Sequence, residues 1–127
     1  MKSASEILNG LAHCYGSEKW HRWSILFKKH SITDGVKYLC DSAECYWLVD
    51  AIASYTAEHK NEEFQDWKLK VTDGKGILTG DDGNGNIFVT QEIEYTDFPL
   101  SEIELYCTLG SLDGVNLEWI IILPSEN

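Results

Sequence analysis

Apolar residues in this chain recur at helical spacing up to about residue 60 and at every second position after it. That change of period limits the fold more than any motif does. In the first part, Ser3 or Ser5 is placed to cap a short helix with Ile7, Leu8 and Leu11 on its apolar face, ending near Gly16. Thr33 is placed to cap a second helix running through Val36, Tyr38, Leu39 and Cys40. A third, from about Cys45 to His59, carries one charge, Asp50, between Cys45 and Ala57 and is apolar on nearly every side. Such a helix is expected inside the molecule, crossing the inner face of a sheet. Asp50 would then be a carboxylate in apolar surroundings, either hydrogen-bonded across the core or shifted upward in pKa.

In the second part Trp67, Leu69 and Val71 alternate with Lys68 and Lys70. A strand over 76–79 leads into Asp81-Asp82-Gly83-Asn84-Gly85-Asn86, a run of turn-forming residues. The returning strand places Ile87, Val89, Ile93 and Tyr95 on one face, with Thr90, Glu92 and Glu94 on the other. In the next, Ile103, Leu105, Cys107 and Leu109 point inward while Glu102, Glu104 and Tyr106 point outward. The final strand, 117–123, is apolar on both faces and is expected to be central or covered. The expected fold is α+β, with N-terminal helices packed on one face of a four- to five-stranded antiparallel sheet. Residues 1–127 are expected to form a single domain, with a helical half over about 1–60 and a β half over about 61–127.

Charge divides along the same line. Residues 1–60 hold seven Lys/Arg and seven Asp/Glu. Residues 61–127 hold three Lys against fourteen Asp/Glu, which accounts for the entire net charge of −11. This balance disfavours direct nucleic-acid binding, despite a small basic patch around Arg22, Lys28 and Lys29, and favours a basic partner. No apolar run approaches the roughly 20 residues that span a bilayer, and no long apolar stretch follows Met1, so no membrane association and a cytoplasmic location are expected. The four cysteines (Cys14, Cys40, Cys45, Cys107) form no Cys-x-x-Cys pair and are expected as packed, reduced thiols. No metal or other cofactor is expected. With no Gly-x-Ser-x-Gly, phosphate loop or dinucleotide fingerprint, the expectation is a protein without enzymatic activity.

Three constellations remain as candidates. Alternate strand residues lie roughly 6.6 Å apart on one face, so Glu92 with Glu94 and Glu102 with Glu104 form two acidic rows, which Glu118 is expected to join. Phe88, Tyr106 and Ile120 are expected on that same face, giving an acidic and aromatic surface for a basic protein or nucleoprotein complex. The competing reading is that Lys68 and Lys70 neutralise these acids across strands. Second, counting from Asp81 puts Glu92 twelfth, as in a calcium loop, yet Gly83 and Gly85 stand at positions three and five, where oxygen ligands belong. A hairpin turn explains that segment better. Third, Asp50, Arg22 and His21 would furnish an alternative pocket between helices and sheet, for small-molecule binding or a modest enzymatic activity, although Trp20 and Trp23 around them read chiefly as core packing. Monomer and homodimer are both compatible with the composition.

Several stretches taken together resemble a known family. They are Thr33-Asp34-Gly35-Val36-Lys37-Tyr38-Leu39, Tyr46-Trp47-Leu48-Val49-Asp50-Ala51-Ile52-Ala53-Ser54, the Asp81–Asn86 turn, Tyr95-Thr96-Asp97-Phe98-Pro99-Leu100 and Leu123-Pro124-Ser125-Glu126. From about Gly16 onward the chain resembles small, functionally uncharacterised bacterial proteins that also occur on plasmids and phages. The resemblance implies a bacterial or mobile-element origin and carries over no catalytic residue. With the charge distribution, it leads to the expectation of an inhibitor or decoy directed at a nucleic-acid-binding host defence complex.

Overall fold

The structure, a computed structural model, describes residues 2–13, 20–22, 30–111 and 117–126. Helix α1 (Ala4–Leu11) starts at Ser3, whose Oγ accepts the Glu6 backbone N–H at 3.3 Å. It buries Ile7 and leaves Leu8 exposed, so its apolar face is narrower than expected. Strands β1 (Trp20–Arg22) and β2 (His30–Thr33) follow. Thr33 ends β2 and caps α2 (Asp34–Ala43), its Oγ1 accepting the Val36 N–H at 3.3 Å. Helix α3 (Tyr46–Glu58) lies within the expected bounds. After it come β3 (Phe64–Thr72), β4 (Lys75–Asp81), β5 (Ile87–Ile93), β6 (Glu102–Ser111), β7 (Leu117–Ile122) and a 3₁₀ turn, Pro124–Glu126.

The fold is α+β. The second half supplies the five expected strands, and the described residues form one sheet of seven, in the order β1-β2-β7-β6-β3-β4-β5. The two extra strands come from the half that reads as helical. At three and four residues, β1 and β2 are too short to display a period. They are nevertheless needed: β7 is buried on both faces and takes β2 as its parallel neighbour, with Ile32 opposite Ile121. The sheet is therefore mixed, and Trp20, His21 and Arg22 lie on an edge strand instead of a helix.

The helices cover one face. Gln65, Trp67, Leu69, Leu78, Val89, Leu105, Cys107 and Ile121 are buried there against α2 and α3. Trp67 stacks on Tyr55 of α3 (centroids 5.8 Å apart) and lies directly across from Gly80, where an added Cβ would stand 2.7 Å from the indole. Gln65 is fully buried with every polar atom engaged. Its Oε1 accepts from Thr56 Oγ1 (2.9 Å) and Trp67 Nε1 (3.0 Å), and its Nε2 donates to the carbonyls of Glu62 and His59. This network ties the end of α3 to the sheet. At the C-terminus, Glu126 closes on the start of α2: its carboxylate accepts from Thr33 Oγ1 (2.5 Å), Gly35 N–H (3.3 Å) and Leu123 N–H (3.1 Å).

Candidate binding surface

The outer face of the sheet carries the predicted acids in three separate places. Glu102 and Glu104 sit on β6 directly opposite Lys70 and Lys68 of β3. Glu118, on β7, accepts a hydrogen bond from Ser31 Oγ at 3.2 Å. Glu92 lies on β5 opposite Ile77 of β4, and Glu94 lies just past the end of β5; both are exposed. With β3 and β4 between them, β5 and β6 are about 14 Å apart. The two expected acidic rows are thus separated by a lysine row, with exposed Glu92 and Glu94 at the β5 edge and exposed Glu102 on β6.

Phe88 departs from its expected side. Gly80 pairs with Val89 while Asp81 pairs with Ile87, so Phe88 is the extra residue of a β-bulge. Its ring turns inward onto Trp67 (5.8 Å, edge-on) and His59 (4.7 Å). Ile87 is displaced outward in exchange and is 59% exposed. Tyr95 also departs: β5 ends at Ile93, and Tyr95 is 79% exposed instead of facing inward. Tyr106 keeps its expected side, with its ring on Phe64 at 4.9 Å.

A cluster absent from the sequence reading lies beneath the lysine row. Asp66 is opposite both Asp81 and Tyr106, and both aspartates are largely buried. Lys68 Nζ stands 3.5 Å from Asp66 and 3.9 Å from Asp81, and their negative charge, that of Asp66 first, raises the ammonium pKa. Glu104 completes the group. Burial, then a hydrogen bond to Asp66, pushes its carboxyl up to about 6. Asp66 Oδ1 is buried without a hydrogen-bond partner, beside this raised carboxyl. The signal was present in the sequence: Asp66, Lys68 and Lys70 share one strand face.

Asp50 is exposed on α3, whose buried side is Leu48, Val49, Ile52, Ala53 and Thr56. The expectation of a carboxylate inside the core is corrected. Tyr46, Ser54 and Ala57 share its exposed side, and a helix shows such residues to water at little cost. The backbone of His21 and Arg22 lies in β1, at the opposite end of the strand order from β5, and their side chains fall outside the described residues. The alternative pocket of Asp50, Arg22 and His21 is therefore not assembled by the described residues. A cleft of about 410 Å³ does open between α3 and the sheet, lined by Trp47 and Ala51 of α3, by Leu78, Gln91 and Ile93, and by the 95–97 loop.

The remaining chemistry is restrained. Asp81 and Asp82 turn the β4–β5 connection by accepting backbone N–H groups of Gly83 (2.7 Å) and Asn84 (2.8 Å), with Gly83 and Gly85 at positive φ. The Asp82 carboxyl is held below its usual range, first by the Asn86 side chain. Cys40, Cys45 and Cys107 are buried thiols. Burial pushes Cys107 up to about 12, and Cys40 is also raised, first through its bond with Cys45, so neither supplies a thiolate nucleophile. Cys14 lies outside the described residues. Among the described residues no helix is long and apolar enough to cross a membrane, and no three His, Cys, Asp or Glu side chains converge as metal ligands.

No curated protein and no solved structure matches this chain. The model of a family of unknown function, DUF6876, matches residues 5–127, and the chain belongs to that family.

Proposed function

We propose that this protein is a non-enzymatic binding module that engages a basic partner protein at the β4–β5 edge of its sheet. One observation carries the reading. Of the five large hydrophobic residues exposed among the described residues, three (Ile77, Ile87 and Tyr95) lie along β4, β5 and the residues just after, with Ile77 directly opposite exposed Glu92 and Tyr95 next to exposed Glu94. Exposed apolar groups beside charge are the composition of a docking surface, and Glu92 and Glu94, which outnumber the neighbouring Lys75, select a partner of opposite charge. Glu102 and Glu104, opposite Lys70 and Lys68, and Glu118, hydrogen-bonded by Ser31, contribute through the general field. In its sharper form the protein is a cytoplasmic inhibitor or decoy, encoded by a bacterial mobile element, that occupies the basic surface of a nucleic-acid-handling complex. The charge asymmetry and the family resemblance support that form.

The test is capture from host lysate by the wild type and by Glu92→Lys/Glu94→Lys, at about 0.05 and about 0.5 M salt. A basic partner should be recovered at low salt, lost at high salt and absent with the variant. A partner that persists in high salt, or that the variant retains, overturns the reading. The cleft of about 410 Å³ favours a second reading, a small apolar ligand held between α3 and β5. A metabolite panel that leaves the melting temperature unchanged would remove it.

A further inference from the structure

The strand order ends at β5, which pairs only with β4 among the described residues. Backbone groups along an unpaired edge require partners, and proteins usually guard such an edge with Lys, Pro or a bulge. β5 has neither Lys nor Pro. Its bulge lies at the start, at Phe88, leaving 89–93 as regular, pairable strand. On the helix side of that stretch lies the cleft. Gln91 and Ile93 face it from β5, Trp47 and Ala51 from α3, and Tyr95 and Asp97 from the loop beyond.

We propose that β5 takes up an extended segment of the partner as an eighth strand, with one Lys or Arg side chain of that segment filling the cleft. This deepens the binding-module reading and rests on it. An added strand would lie about 4.8 Å beyond β5 and send alternate side chains to opposite faces. Residues opposite Gln91 or Ile93 enter the cleft; their neighbours in sequence fall beside Glu92 and Ile77 on the outer face. The lining suits a long cationic side chain. Ala51, Leu78 and Ile93 receive the alkyl stem, Trp47 and Tyr95 offer ring faces, and Asp97 is the sole charged group among the lining residues. Gln91 is already oriented, its Oε1 accepting from Tyr55 Oη at 2.7 Å. A second copy of this chain is the less suitable occupant, because each copy carries a net charge of −11 and would bring its own Glu92 and Glu94 to the shared edge.

The probe is a synthetic extended decapeptide of threonine and valine with one central arginine flanked by two lysines. A second version replaces the arginine with citrulline, which keeps the shape and removes the charge. Binding is followed by calorimetry and by amide NMR of the full chain. The expected result is shift changes along 89–93 and at Trp47 and Tyr95, with a roughly tenfold loss of affinity for the citrulline peptide. In Asp97→Asn the two peptides should bind almost alike, and Tyr95→Ser should weaken both; these residues are exposed, so the variants fold. Equal binding of both peptides by the wild type, or binding indifferent to Asp97→Asn and Tyr95→Ser, overturns the cleft assignment. The acidic-edge reading survives that result if Glu92→Lys/Glu94→Lys still abolishes binding. Failure of every basic peptide to bind, or sedimentation showing a dimer joined through β5, overturns strand addition. The lysate capture with the charge-reversed variant then decides the broader reading independently.

Discussion

Glu104 and Gly80 show how much single side chains decide here. The Glu104 carboxyl, ordinarily near 4.5, is pushed up to about 6 by burial and by Asp66, so between those values the folded protein holds a proton that the unfolded chain releases. The associated stabilisation is complete below about 4.5 and is lost as pH rises through about 6. Glu104→Gln mimics the protonated form. Thermal melts should therefore show the variant more stable than wild type above pH of about 7, with the gap closing toward pH of about 4.5. A gap that stays constant with pH would remove Asp66–Glu104 proton sharing from the account. Gly80 acts by absence, because the Trp67 ring occupies the space a side chain would need. Gly80→Ala should cost about 1–3 kcal/mol in urea denaturation, through overpacking. An unchanged midpoint would mean that Trp67 has room to move aside.

Among the elements, α2 is the one whose start depends on a residue far away in sequence. Thr33 caps it locally, and Glu126, from the other end of the chain, accepts from both Thr33 Oγ1 and the Gly35 N–H. A carboxylate there also complements the positive end of the helix dipole. Glu126→Ala and Thr33→Ala are each expected to cost about 1 kcal/mol, and the double variant less than their sum, since the two side chains share a hydrogen bond. Strict additivity in the double-mutant cycle would show that Glu126 acts separately from the cap. The β4–β5 hairpin has the opposite character, being decided locally. Asp81, Asp82, Gly83 and Gly85 build the turn, and the bulge beside it exchanges the sides of Ile87 and Phe88.

Across the whole molecule the sheet is stabilised from its middle outward. β7, β6 and β3 each have two strand neighbours, and β3 and β6 pack beneath α3 through Gln65, Trp67 and Cys107. Among the described residues β5 has a single strand neighbour. Native-state hydrogen exchange should place the slowest amides on β3 and β6 and markedly faster ones on the β5 residues whose N–H points away from β4. Uniform protection across the sheet would indicate that another segment covers the β5 edge, and the docking proposal would fail with it.

The period change near residue 60 determined the fold class, α3 and the five strands of the second half, because helical and strand periods are local properties of a chain. The Thr33 cap and the turn at Asp81–Asn86 were legible for the same reason: each rests on contacts within a few residues. What tertiary structure alone decided involves partners distant in sequence or a shift of one residue. β1 and β2 become strands only because β7 needs a neighbour, and Glu126 becomes a helix cap only once it meets Thr33 and Gly35, more than ninety residues away in sequence. Phe88 turns inward because a bulge reverses strand parity. The two acidic rows of the sequence reading stand apart because register sets Lys68 and Lys70 opposite Glu104 and Glu102, leaving Glu92 and Glu94 at the edge. Alternation reveals which residues share a face on one strand; only pairing between strands decides what stands beside them.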